Sequence, residues 1–225
     1  MSQPNTCRRC GTCCAKGGPA LHKADLPLIN RLALGDLITI RLGEPVFSPL
    51  VDGIEPARNE LIKFAGQNNS WTCLFFDRTQ NLCGNYAHRP LECRLLKCWE
   101  PEAITKAIYQ DCLSREDIVP ADDELDVKLW ELIEIQKEHC GFTRIAALSA
   151  GFAEKAAQKK LDDISEVVNL DLRIRNWAVQ VRGLSLAEEL LYFGRPMFKS
   201  LAFYGLAIEE GQQGLTVHPA PSLGA

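Results

Sequence analysis

The chain has 225 residues, 46% hydrophobic and 24% charged, with ten cysteines. That length and composition allow a sizeable core in one or two units and exclude wholesale disorder. The net charge of −4 argues against an electrostatic nucleic-acid binder, and no apolar run reaches the ~18 residues of a membrane span.

The opening residues, Met1-Ser2-Gln3-Pro4-Asn5-Thr6-Cys7, lack the apolar stretch of a secretory signal, so the expected location is the cytoplasm. Residues 1–20 read as a loop wrapped around something. Asp25 is placed to cap a short helix with Pro27 in its first turn, ending near Gly35. Turn signals at 43–45, Ser48-Pro49 and Asp52-Gly53 punctuate the next stretch. Two short strands are expected at Glu60–Phe64 and Trp71–Phe76, and residues 77–99 read as irregular. After Glu100-Pro101 the text turns helical. Apolar residues recur at helical spacing over Ala103–Leu113, Asp123–His139, Ile145–Leu161 and Ile164–Val181. In the second of these, Leu125, Leu129, Leu132, Ile133 and Gln136 share a face. Gly183, Gly194 and Pro196 break the pattern, and Met197–Ile208 with Leu215–His218 form a candidate hairpin. The fold class expected is α+β: an irregular cysteine-rich region with a few short strands over 1–99, packed on a mostly helical half, 100–225, as one compact unit.

Eight of the ten cysteines lie at or before position 98: Cys7, Cys10, Cys13, Cys14, Cys73, Cys83, Cys93 and Cys98. A disulfide framework fits poorly with a reducing compartment. A Cys-x-x-Cys turn instead puts two sulfurs on one side of a tight loop, within reach of one ion. Cys7, Cys10 and Cys13 iterate that spacing in the rhythm of a ferredoxin cluster run, but Cys14 follows at once where a ferredoxin would wait three residues. Adjacent side chains diverge, so Cys13 and Cys14 are expected to serve different metals, or one to ligate while the other supports. Eight thiolates divide into two sets of four, the number that a tetrahedral zinc or a cubane cluster takes. Arg8, Arg9, Lys16, Arg89, Arg94 and Lys97 flank them and would offset thiolate charge.

Cys7-x-x-Cys10-x-x-Cys13-Cys14, then Cys73-Leu74-Phe75, then Cys83-Gly84-Asn85-Tyr86-Ala87-His88-Arg89-Pro90-Leu91-Glu92-Cys93 resemble the CxxCxxCC, or YkgJ-like, cysteine-cluster family of zinc- or iron-chelating domains. The resemblance covers about 7–98. It implies Cys7, Cys10, Cys13, Cys14, Cys73, Cys83 and Cys93 as metal ligands; Cys98 lies outside the pattern, and Asn85 stands where an apolar residue is more usual. The cofactor expected is zinc or iron, with the ferredoxin rhythm favouring an iron–sulfur centre. The partners expected are metal ions and a protein partner or protein substrate, with no nucleic acid and no membrane. Flagellin lysine methylases resemble this family in their cysteine cluster, so a cluster-dependent protein-modifying enzyme is the alternative. No P-loop, His-Glu-x-x-His or nucleophile elbow is present.

Other residues read as structural. Cys112, four residues after Ile108, is expected on a helix face as a small hydrophobe. Cys140 reads as a helix end rather than a ligand beside His139. Trp130 and Trp177 read as core, and Tyr86 as a cover of the metal site or a filler beneath Arg89-Pro90. Pro90 biases Arg89 toward extended backbone, leaving its guanidinium free to bond carbonyls.

Overall fold

The computed structural model describes residues 7, 9–68, 70–119, 121, 124–150 and 157–221. In chain order its helices are α1 (Thr12–Lys16), α2 (Leu26–Ile29), α3 (Leu91–Leu95), α4 (Glu102–Ala107), α5 (Glu124–His139), α6 (Phe142–Ser149), α7 (Ala157–Arg182) and α8 (Leu186–Phe193). The strands are β1 (Leu37–Ile40), β2 (Pro45–Ser48), β3 (Gly53–Pro56), β4 (Leu61–Phe64), β5 (Phe76–Asp77), β6 (Leu82–Cys83), β7 (Leu206–Gly211) and β8 (Gly214–Pro219). They pair antiparallel in four two-stranded sheets: β1 with β4, β2 with β3, β5 with β6 and β7 with β8. The class is α+β, with the helices concentrated in the second half.

The β1–β4 ladder is buried on both faces, as its unbroken apolar text (Leu37, Ile38, Ile40; Leu61, Ile62, Phe64) requires. Thr39, fully buried among them, donates its hydroxyl to the Leu191 carbonyl of α8. Helix α8 starts at a capping box: Ser185 Oγ accepts from Glu188 N–H at 3.2 Å, and the Glu188 carboxylate accepts from Ser185 N–H at 2.9 Å. Helix α7 pins the C-terminal hairpin. Asn169 brackets Leu215, accepting its N–H at 2.9 Å and donating to its carbonyl at 2.7 Å, and Ser165 Oγ accepts Val217 N–H at 2.8 Å. One cluster of buried residues runs from Leu21, Leu37, Ile62 and Phe76 to Ile133, Ile164, Val168 and Leu191.

Several expectations are corrected. The stretch Trp71–Phe76 is not a strand: only Phe76 enters β5, and Cys73 makes an isolated bridge to Gly66. The helix after Asp25 stops at Ile29, and Leu34–Asp36 is a separate 3₁₀ turn. Helix α4 stops at Ala107 because Tyr109 and Asp111 take positive φ. Cys112 therefore lies on no helix. It bridges to His22 and packs against the small cluster of Ile40, Val46, Ala57 and Leu61. The expected helix Ile145–Leu161 divides between the end of α6 and the start of α7, and its residues 151–156 lie outside the described residues. Leu129, Ile133 and Gln136 are buried on one face of α5; the Leu125 side chain lies outside the description. Trp177 is exposed, not core. Cys140 does stand at a helix end, directly after α5, and it is also fully buried, donating to the Val167 carbonyl. The hairpin forms, but Met197–Tyr204 is a 3₁₀ helix and the first strand begins at Leu206.

A buried ionic network joins the two halves. Asp171 on α7, fully buried, takes Arg41 from the end of β1 at 3.0 Å and Arg175 at 2.9 Å. It also accepts from Gln136 of α5 at 2.7 Å and from Met197 N–H at 3.1 Å. Arg175 reaches Glu189 and the carbonyls of Phe193, Gly194 and Arg195, while Arg195 closes on Glu44. Burial pushes the Asp171 carboxyl up, but the two guanidinium groups more than reverse this, and its pKa lies below the ordinary value.

A depressed folded-state pKa stabilises the fold above the unfolded value of about 3.9, and that contribution is lost as pH falls through the folded value. The wild-type chain should therefore lose stability on acidification below about pH 4 through this group. Asp171→Asn leaves two buried guanidinium groups uncompensated and should cost about 3–5 kcal/mol at neutral pH. Urea unfolding of both proteins from pH 7 to 3 checks this: equal stability at pH 7 would show that the network is idle.

Candidate metal centre

The Cys-x-x-Cys loop is locked down at Gly11. Its φ of +75° suits glycine, and a Cβ there would lie 2.2 Å from Phe76 Cζ and 2.6 Å from Asn81 Oδ1. The loop thus sits directly on the β5–β6 hairpin. Cys83 faces Phe76 across that hairpin. A backbone bond joins the two cysteine groups: Cys73 N–H donates to the Cys14 carbonyl at 2.8 Å.

The turn that presents Cys73 is held by one side chain. Gln67 Nε2 donates to the carbonyls of Cys73, Leu74 and Phe76 at 3.0, 2.9 and 2.7 Å. Two N–H groups serve three acceptors, so at least one hydrogen is shared. Cys93 sits in the first turns of α3, whose start is anchored from afar. Asp25, fully buried, accepts Leu91 N–H at 2.8 Å and His22 N–H at 3.1 Å. Asp25 therefore does not cap its own helix by side chain; it caps the helix that carries Cys93. Glu92 accepts Ala20 N–H at 2.8 Å and lies 3.5 Å from His22 Nε2. His22 Nδ1 meets the Gln110 carbonyl at 2.7 Å, and a carbonyl only accepts, so Nδ1 carries a proton. The Glu92 carboxylate then holds the His22 pKa above its ordinary value.

These anchors bring the thiols together. Cys13, Cys73 and Cys83 act electrostatically on both Cys14 and Cys93; Cys73 feels Cys13 and Cys83, and Cys10 feels Cys13. Cys13 and Cys14 do not diverge as expected. Their sulfurs approach to 4.0 Å although both lie in the single turn α1, where successive side chains ordinarily point apart. Two thiolates at ~2.3 Å from one tetrahedral ion stand roughly 3.8 Å apart, close to the separation of this pair. Among the described residues no three His, Cys, Asp or Glu side chains converge on one point as a finished ligand set. The centre is a group of neighbouring free thiols whose donor chemistry fits zinc or iron.

The local electrostatics follow from burial. Burial pushes the Cys73 thiol up to about 11, and it raises Cys93 further. A hydrogen bond from the Cys14 thiol lowers Cys13 to about 6, and that same bond raises Cys14. The Thr12 hydroxyl lowers exposed Cys10. Cys7, also exposed, receives Arg9 N–H at 3.4 Å. Cys98 is exposed beyond the end of α3 and is not among the leading charges on any other thiol. Six of the eight sequence candidates thus interact, with Cys7 and Cys98 at the periphery. Arg8 lies outside the described residues.

Tyr86 neither fills the core nor lies buried; it is exposed between Arg9 and Arg89. Arg89 has φ −61° and ψ 134°, the extended backbone expected before Pro90, and its Nε donates to the Tyr86 carbonyl at 3.2 Å. Sequence reasoning missed Gln67, Asp25 and Glu92, whose work is done through contacts as distant as 72 residues along the chain.

No helix is long and apolar enough to cross a membrane among the described residues. No curated protein and no solved structure matches the chain. Residues 6–113 match the CxxCxxCC family model, described as a "putative zinc- or iron-chelating domain". That span holds the cysteines of both motifs and is similar to the CxxCxxCC family, while 114–225 lie outside the match.

Proposed function

We propose that this chain chelates iron or zinc through Cys10, Cys13, Cys14, Cys73, Cys83 and Cys93, with Cys7 and Cys98 as outer candidates. The observation that carries this reading is the Cys14–Cys73 junction, which brings thiols from both motifs within electrostatic reach of one another. Six such thiols exceed the four that one tetrahedral zinc takes, which favours a polynuclear, iron–sulfur centre. The bound metal would supply a fixed positive charge that lets buried thiols ionise. The protein's own part is to hold Cys73 by Gln67, Cys93 by Asp25, and Cys13 with Cys14 by the turn at Gly11. Ten free thiols suit a reducing compartment, so we place the protein in the cytoplasm.

Anaerobic purification followed by visible absorption and assays of iron, zinc and acid-labile sulfide tests the metal. Iron with equimolar sulfide supports the polynuclear reading; zinc alone, at one per chain, overturns it. Cys73→Ser or Cys93→Ser should weaken retention against a chelator at least roughly tenfold, while Cys112→Ala should leave it unchanged. Equal loss in all three would overturn the assignment of ligands.

A glycine pair separates backbone strain from docking. Gly11 and Gly205 have φ of +75° and +69°, but a Cβ at Gly205 meets nothing within 4 Å. Gly205→Ala should cost only the backbone term, about 1–2 kcal/mol, and keep its metal. Gly11→Ala should cost more in thermal unfolding and release metal. Unchanged metal retention in Gly11→Ala would show that the loop does not need its seat on Phe76.

A further inference from the structure

Four arginines gather around one turn of the second cysteine motif. Arg9 and Arg89 both hold their guanidinium over the Tyr86 ring, 4.7 and 3.9 Å from its centroid. Arg94 donates to the Arg89 carbonyl, and Arg31 Nη1 lies 3.0 Å from His88 Nε2. A guanidinium only donates, so His88 accepts there, and the contact neutralises no charge. The carboxylate nearest this group is Asp25, 3.7 Å from Arg94, and it is buried and committed to two backbone amides. Neighbouring Lys97 already pairs with Glu100. Among the described residues, Arg9, Arg31 and Arg89 form no ion pair. In a chain of net charge −4, this is a concentrated positive face.

These charges are not spent on the thiols. The leading cation on Cys73 is Lys63, and none of the four arginines is among the leading charges on Cys93, although Arg94 follows it in sequence. Arg9, Arg31 and Arg94 are exposed and Arg89 is half-buried against Tyr86.

We propose that Arg9, Arg31, Arg89 and Arg94 form a docking surface for a carboxylate-rich segment of a partner protein, beside the cysteine cluster. The planar guanidinium fork matches a carboxylate in two parallel hydrogen bonds, which makes arginine the suitable cation for such a partner. A nucleic-acid strand fits less well. The Tyr86 π-system is already engaged by two guanidinium groups and offers no free platform for a base, and the patch is confined within an acidic chain. The surface stands on these charges alone and requires no metal.

The test uses the full chain as purified, with a fluorescent peptide of about ten glutamates and an oligothymidylate of similar length, by anisotropy at low salt. The peptide should bind, and raising the salt should weaken it. Arg9→Gln with Arg31→Gln should weaken peptide binding by roughly tenfold or more, and Arg31→Gln, outside both cysteine motifs, should weaken it severalfold without changing metal content or Tm. Arg58→Gln, at an exposed arginine paired with Glu55, should bind as wild type does. Arg31→Gln alone repeats the test without disturbing the Tyr86 stack, should the double variant fold poorly. Failure of the wild-type chain to bind the peptide, equal binding by the arginine variants, or tighter binding of the oligonucleotide would each overturn the proposal.

Discussion

The carboxylate of Asp171, buried between Arg41 and Arg175, is the constraint on which the rest of the molecule hangs. An isolated charge at that depth would be costly, so the fold has to deliver both guanidinium groups to it. Arg175 comes from one turn along α7, but Arg41 comes from the end of β1, 130 residues away. Satisfying Asp171 therefore fixes where β1 ends, and antiparallel pairing then fixes β4. The second anchor of the same kind is fully buried Arg115. Its guanidinium pairs with Glu60, just before β4, and donates to the Tyr192 carbonyl of α8 at 2.6 Å. Both strands of the small buried sheet are thus tied, at the Ile40–Leu61 end, to helices of the second half by directional polar contacts, which specify register more sharply than apolar packing does.

From that sheet the cysteine centre follows in a few steps. Strand β4 leads to Ala65, whose N–H bonds Asp36 and whose carbonyl accepts from Leu74. Gln67 then gathers the turn around Cys73, and the Cys73 amide reaches back to Cys14. On the other side Asp25 and Glu92 clamp α3, and with it Cys93, to the segment that follows the first cysteine motif. The second half of the chain contributes none of these clustered thiols. It supplies the rigid frame from which β1 and β4 are hung, and that gives a physical reason for a helical half attached to a chelating domain.

Much of this was legible in the sequence, and the remainder was hidden for identifiable reasons. The gathering of early and late cysteines, the extended Arg89 before Pro90 and the α5 face through Leu129 and Ile133 all depend on local chemistry or fixed spacing. The strand expected at Trp71–Phe76 failed because its pairing with Ala65–Gln67 is confined to one isolated bridge; the Gln67 side chain takes the carbonyls of Cys73, Leu74 and Phe76 instead. Cys112 was misplaced because left-handed residues at Tyr109 and Asp111 end the helix without a glycine to mark the stop. Asp25 looked like a helix cap by position and is one, but for a different helix. Contacts such as His22 with Glu92 leave no periodic trace in the chain, so no reading of spacing could have found them.

The protonation pattern of the thiols bears on how such a centre is tolerated by the fold. Burial keeps Cys73 and Cys93 neutral at ordinary pH, and a neutral thiol packs as a small apolar group. Cys73 accordingly sits in the same buried cluster as Phe64 and Phe76. Had the clustered thiols been ionised without a compensating charge, neighbouring anions would repel one another at close range. Cys13 is biased toward thiolate because the adjacent Cys14 thiol donates to it and stays protonated in doing so, and exposed Cys10 is biased the same way by the Thr12 hydroxyl. The cluster therefore carries little negative charge until a cation is present to balance it. That is why the arginines of the neighbouring turn are not needed as counter-ions.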